Sequence, residues 1–301
     1  MGRSRRIDAC VELTKPRITW LILMSTAVGY LFGVPASSGS ELVSGFGCMR
    51  FLHTLVGTGL LASGTAALNE WYEWPADKRM RRTSRRPVPS GRISPMAAMV
   101  FGMALSVIGF VELALAVNAC AACAGGLTWF LYLFVYTPLK SRTWWCTLVG
   151  AVPGALPPVI GFSAASNRIS VEALALFAIL FVWQCPHFYS IAWIYRDDYA
   201  RGGMAMLAVV DPDGISTVRQ VVYFSAALLP VSFVPYILGM SSPIYLLVAC
   251  LLGLWMIRAS AQMVHTSVKT ARRVLITSVL YLPALYVCIA SDRVYRLCHL
   301  G

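Results

Sequence analysis

The chain has 301 residues, 58% of them hydrophobic and only 13% charged, with a mean hydropathy of +0.68. A soluble domain carries roughly 25% charged residues, so one aqueous globular core is excluded and a polytopic membrane protein is expected. The remaining charge is lopsided, 25 Lys and Arg against 13 Asp and Glu for a formal +12, which rules out an acidic tail. It leaves nucleic acid, anionic lipid or an anionic substrate as partners until the charges are located.

A crossing helix needs roughly 20 apolar residues. In chain order, hydropathy predicts helices near 18–36, 50–68, 94–115, 118–137, 144–164, 171–194, 219–238, 243–261 and 274–291. The third and fourth come from one apolar run interrupted by Glu112 and broken near Asn118. The run from 220 to 257 is too long for one crossing, and Gly239 to Pro243 supplies its turn. The expected fold is all-α: nine transmembrane helices, bundled as one domain over 1–301 around a central cavity open toward the cytoplasm.

Nine crossings place the termini on opposite sides. Of the 25 cations, 21 then fall on one side, leaving Arg50, Arg168, Arg293 and Arg296 on the other. The positive-inside rule makes the first side cytoplasmic, with the N-terminus there and the C-terminus outside. The first dozen residues read as neither a signal peptide nor an Arg/Ser-rich transit segment, so a bacterial plasma (inner) membrane is expected. Most of the charge therefore orients helices in the bilayer, and nucleic acid needs no part in it.

Nine cysteines are scattered through apolar segments, and Cys120 and Cys123, despite their spacing, read as small buried residues. The chemistry concentrates elsewhere. Asn69, Glu73 and Asp77 lie at i, i+4 and i+8, so a helix stacks all three on one face, although Pro75 argues that it bends or ends there. Oxygen ligands at a membrane surface suit Mg²⁺, which takes one or two carboxylates plus substrate phosphate oxygens. The cations that follow, Lys78, Arg82, Arg85 and Arg86, could hold the remaining phosphate charge or simply fix topology. A second acidic cluster, Arg196, Asp197 and Asp198 before Gly202 and Gly203, follows another apolar helix on the same side. Lys140 and Arg142 add cations at a third helix end. Together these residues describe a membrane-embedded enzyme for a lipidic diphosphate, with metal and cations holding the leaving group and the tail among the helices.

These motifs resemble the intramembrane UbiA-type prenyltransferase superfamily, whose two acidic motifs read N-x-x-x-D-x-x-x-D and D-x-x-x-D. Within it, the stretches "LTKPRITWL" (13–21), "DKRMRRTSRRPVPSG" (77–91), "YTPLKSRTWWCTLVGAVPGALPPVIGF" (136–162) and "WQCPHFYSIAWIYRDDYARGGMAML" (183–207) are similar to the protoheme IX farnesyltransferase (heme O synthase) family. The resemblance implies transfer of the farnesyl group of farnesyl diphosphate to a vinyl group of heme B, with water addition, giving heme O and diphosphate. It assigns Asn69, Glu73, Asp77 and Asp198 to catalysis and, with Asp197, to metal binding. Arg82, Arg86, Lys140 and Arg196 are assigned to the diphosphate. Glu73 stands where the superfamily more often has Asp, and Ile194 replaces the first Asp of the second motif. Heme-binding candidates are His187, Lys15 and Arg17; His187 reads either as a ligand or as a histidine hydrogen-bonded inside the bundle. His53, near the opposite face, is a lesser candidate, and Glu112 has no assigned role. The implied cofactor is Mg²⁺ and the substrates are farnesyl diphosphate and heme B, with a downstream heme A synthase or an oxidase assembly factor open as protein partners. Two alternatives stay in view: a related enzyme acting on an aromatic acceptor such as 4-hydroxybenzoate, and an anion transporter with a basic mouth.

Overall fold

The computed structural model describes residues 3–35 and 45–299. Among these residues the chain is entirely helical, and eight helices are long and apolar enough to cross a membrane. A short amphipathic helix, α1 (Arg3–Leu13), turns at Lys15 into α2 (Pro16–Gly33). The long helices that follow are α3 (Gly45–Asp77), α4 (Pro95–Glu112) and α5 (Ala119–Phe130). Next come α6 (Cys146–Ala155), α7 (Pro157–Ser166) and α8 (Val171–Ile194). A short α9 (Arg196–Gly202) leads to α10 (Ile215–Val231), α11 (Pro243–Ala261) and α12 (Val268–His299).

The ninth expected crossing, near 18–36, is α2, and it is not among the eight: it has 18 residues, opens on Pro16 and Arg17, and is the least apolar of the long segments. At 1.5 Å per residue it spans roughly 27 Å, just short of the hydrocarbon layer. Residue 36 of that expected helix lies outside the described residues. The expected 144–164 helix is two, α6 and α7, hinged at Leu156 because Pro157 and Pro158 carry no amide hydrogens to continue the ladder. The break at Asn118 is real. A π turn (Leu113–Val117) ends α4, Asn118 is extended, and its Oδ1 accepts the Ala121 amide at 2.8 Å to cap α5. Its Nδ2 donates to the Ser163 and Ala164 carbonyls of α7, both at 3.0 Å. Gly239, at φ 70°, makes the predicted turn ahead of α11. Helix α3 does not stop at Pro75, because a proline in the last turn removes only one bond, and Lys78 N closes onto Trp74 O at 3.0 Å.

Lipid tails give little net hydrophobic drive between helices, so close backbone approach has to come from small residues. A Cβ at Gly161 of α7 would sit 1.8 Å from the Thr26 carbonyl oxygen of α2, and one at Gly29 would sit 2.0 Å from that of Pro158. Helices α3 and α4 meet in the same way through Gly64 and Gly109, where a Cβ would strike backbone atoms of the partner at 2.5–2.6 Å. On the other half of the bundle, hydroxyls do this work: Ser225 Oγ lies 2.6 Å from Ser260 Oγ, and Ser232 Oγ 2.7 Å from Tyr281 Oη. Cys120 and Cys123 are not the buried pair expected. Cys120 is half-buried and Cys123 exposed on the apolar surface, and both are free.

Replacing Gly161 by Val forces α2 and α7 apart at backbone contact. It should cost more than about 2 kcal/mol of stability, read as a lowered thermal midpoint of the purified protein in detergent.

Candidate active site

Helix α3 carries Asn69, Glu73 and Asp77 on one face, and all three are buried, at 2%, 7% and 1% exposure. Buried carboxylates need compensation, and the chain supplies a cation to each polar step of the ladder. Lys140, which caps the short turn Thr137–Leu139 reached from α5 through a π segment (Leu131–Tyr136), places Nζ 2.7 Å from Glu73 Oε1 as an ion pair rather than an aligned hydrogen bond. Arg86 Nη1 donates to Asp77 Oδ2 at 2.6 Å. Lys15 Nζ donates to Asn69 Oδ1 at 3.2 Å, and Asn69 Nδ2 donates to Thr137 Oγ1 at 3.2 Å. Glu70, beside Asn69, accepts the Val88 amide at 3.0 Å and fastens the following loop to α3.

The electrostatics follow this arrangement. Burial works against charge on Lys140, but Glu73 outweighs it and holds the ammonium well above its usual range. Burial likewise opposes Arg86, and Asp77 overcomes it. Lys15 is the exception. Burial, joined by repulsion from Arg86 and Lys140 and only partly offset by Glu73, pulls it down to about 8. The residue holds this place through a left-handed backbone, φ 48° and ψ 59°, that a side chain other than glycine seldom adopts. Lys15 thus stands against the acidic ladder through Asn69, while Arg17, two residues on, is exposed.

Asp198, the acid of the second motif, is engaged by the loop that follows α3. Its Oδ1 accepts the Arg81 amide at 3.0 Å and its Oδ2 the Arg82 amide at 3.1 Å, while Arg201 pairs with the same carboxylate. Burial favours the neutral acid, but Arg201 and these two amides prevail and keep the carboxyl below its ordinary range. Asp198 therefore ties residues 78–86 to α9, helped by Arg79 Nη2 on the Gly202 carbonyl at 2.8 Å. Asp197 is 85% exposed and faces only Arg196, 3.8 Å away. Arg196 stacks on Trp193, 4.6 Å from its ring centre, outside the ladder. The expected second metal site at Asp197 and Asp198 is not assembled among the described residues; with Ile194 in place of an acid, the remaining carboxylate is spent on backbone amides. Arg82 stands over the rings of Tyr195 and Tyr199 at 4.8 and 5.6 Å and donates to Tyr199 Oη at 3.2 Å.

No group of three or more His, Cys, Asp or Glu able to cage a metal occurs among the described residues. The first motif still fits a hard cation that keeps phosphate or water ligands, because Asp77 Oδ1 is buried without a hydrogen-bond partner and Glu73 lacks an aligned donor. His187 is remote from this ladder in its bonding: Nδ1 lies 2.8 Å from Ser278 Oγ of α12. His53 and Glu112, which sequence left without a pairing, meet at 2.6 Å at the opposite end of α3 and α4. They stand 59 positions apart and only the antiparallel packing of those helices joins them, so no local spacing could have announced the pair.

The fold and its ladder define a helical membrane protein with buried carboxylates and cations gathered at one bundle end. The UbiA prenyltransferase family matches residues 22–282, and the chain belongs to that family. It is 57% identical to the protoheme IX farnesyltransferase of Solibacter usitatus, covering 94% of this chain and 98% of the relative. The protein of the same name from Koribacter versatilis is 44% identical, covering 94% of this chain and 92% of the relative. In fold it is similar to a digeranylgeranylglyceryl phosphate synthase, with a TM-score of 0.77 at 15% identity over 96% of this chain and 99% of that one. A UbiA homolog from Archaeoglobus fulgidus bound to DMAPP and Mg²⁺ gives 0.61 at 17% identity over 93% and 98%.

Two outcomes check these assignments. Lys15→Met removes one charged donor from the ladder and should weaken pyrophosphate binding in the presence of Mg²⁺ by about 10-fold, measured by calorimetry. Asp198→Ala should leave the helices folded but free residues 78–86, seen as faster hydrogen exchange at the Arg81 and Arg82 amides and earlier tryptic cleavage there.

Proposed function

We propose that this chain transfers the farnesyl group of farnesyl diphosphate to a vinyl group of heme B, with water addition, to give heme O and diphosphate. The observation that carries the reading is the buried ladder of Asn69, Glu73 and Asp77 with its cations Lys15, Lys140 and Arg86. It sits in a chain whose near-full-length relatives bear the name of that activity.

On this reading Glu73 and Asp77, with the Asn69 carbonyl, hold a divalent cation, Mg²⁺, which supplies Lewis-acid polarisation of the diphosphate when bound. Lys140 and Arg86 turn from the carboxylates, and Lys15 from the Asn69 amide oxygen, to the phosphate oxygens, and Arg82 adds a guanidinium beside Tyr195 and Tyr199. The farnesyl C1–O bond breaks with its electron pair leaving on the diphosphate. The vinyl π pair forms the new C–C bond, and water adds at the neighbouring carbon and loses a proton. The apolar helices keep other water from the allylic cation. Asp198 acts as a positioning residue, since the loop it anchors carries Arg82 and Arg86. We further place the ladder at the cytoplasmic face of a bacterial plasma membrane, N-terminus inside, where 21 of the 25 cations gather. Heme A synthase and oxidase assembly factors are the protein partners this product would meet.

The test is purified protein with farnesyl diphosphate, Mg²⁺ and either heme B or 4-hydroxybenzoate. Heme O by mass spectrometry is the expected product; prenylated benzoate without heme O overturns the reading. Asp77→Ala should lower turnover at least about 100-fold with expression and melting near normal, and near-normal turnover would remove the ladder from the mechanism.

A further inference from the structure

His187 lies in α8, seven residues before Ile194, about two helical turns inside the end that carries the acidic ladder. Its surroundings are built to fix an imidazole. Ser278 Oγ donates its one hydrogen to the Leu275 carbonyl at 2.7 Å. With that hydrogen on the Leu275 carbonyl, Ser278 accepts at the 2.8 Å contact with His187, which is the arrangement in which Nδ1 carries the proton. In a neutral ring that leaves Nε2 with a bare lone pair, and no hydrogen bond satisfies it among the described residues. Trp183 stacks on the ring at 4.9 Å with 22° between planes, and its own Nε1 donates to the Ser278 carbonyl at 2.8 Å. Phe188 closes on the ring edge at 5.4 Å. One residue of α12 thus sets the tautomer of His187 and the position of the indole that holds it.

A histidine whose Nδ1–H is tied to an oxygen while Nε2 stays open has the arrangement of a metal ligand with its supporting shell. A bare ion would find no cage here, since no group of three or more His, Cys, Asp or Glu occurs among the described residues. The metal that suits the place arrives with its equatorial positions already filled, as in a metalloporphyrin. Resting on the heme-acceptor reading above, we infer that His187 Nε2 is the axial ligand of the porphyrin iron, with Ser278 and Trp183 as its positioning residues.

The experiment is titration of the purified full-length protein in detergent with ferric heme B, followed by the Soret band and electron paramagnetic resonance, with pyrophosphate plus Mg²⁺ binding measured in parallel. Wild type should show a histidine-ligated spectrum. His187→Ala should lose that spectrum while keeping pyrophosphate binding, and His187→Gly should recover it on adding imidazole. Ser278→Ala should keep ligation but weaken heme affinity by about 10-fold. A wild-type spectrum in His187→Ala, or no recovery in His187→Gly with pyrophosphate binding intact, overturns the inference and leaves the farnesyl reading standing. Failure of the wild type to bind heme B at all overturns the acceptor reading itself, and the ligand assignment with it.

Discussion

Glu73 and Asp77, buried at the end of an apolar bundle, are tolerable only because a cation stands beside each of them. Without Lys140 and Arg86, Glu73 and Asp77 would be desolvated charges, a cost of several kcal/mol apiece. The pairs therefore hold the fold together as well as the site, and they set what the site can accept. A divalent cation alone would add positive charge to a place that already holds Lys15, Lys140 and Arg86. A diphosphate alone would meet the carboxylates. Metal and diphosphate together would satisfy both sets, which is why we assign the pair to this place.

Much of the rest of the fold serves to bring those charges together. Asn69, Glu73 and Asp77 share a helix face, but their cations come from three separate places: the α1–α2 turn, the segment between α5 and α6, and the loop after α3. Each place is pinned by something other than the ion pair. Lys15 is held by its left-handed backbone, Lys140 by the hydrogen bond from Ala205 N to its carbonyl at 2.7 Å, and Arg86 by a loop hung between Glu70 and Asp198. Glycine contacts between α2 and α7 and between α3 and α4 then set how closely the helices bearing these groups can stand.

The crossings and the ladder were legible because both rest on local periodicity, one of hydropathy and the other of i, i+4 spacing. The break at Asn118 and the turn at Gly239 were legible too, because both carry local chain-breaking residues. What sequence missed depends on partners distant along the chain. Asp198 reads as a metal ligand by motif, yet the Arg81 and Arg82 amides that claim it lie 117 and 116 residues away. Lys15 precedes a proline and looks like an interfacial cation until α3 places Asn69 against it. Pro75 reads as a stop, but a helix in its last turn has little left to lose.

The two ends of the bundle use charge in opposite ways, and the contrast identifies the working end. At the far end every charged group that the structure pairs is spent internally. His53 meets Glu112, Arg293 holds the Leu31 carbonyl at 3.2 Å and also that of Val34, and Asp292 accepts the Ser242 amide. These contacts fasten helix ends, and none leaves a buried charged oxygen over. At the near end the charges converge, and Asp77 Oδ1 remains buried without a donor. A polar atom in hydrocarbon surroundings that the protein itself does not satisfy is costly to keep. Its retention beside three cations is intelligible if a ligand completes it, which is why the acidic ladder, rather than the equally ionic far end, is where the chemistry belongs.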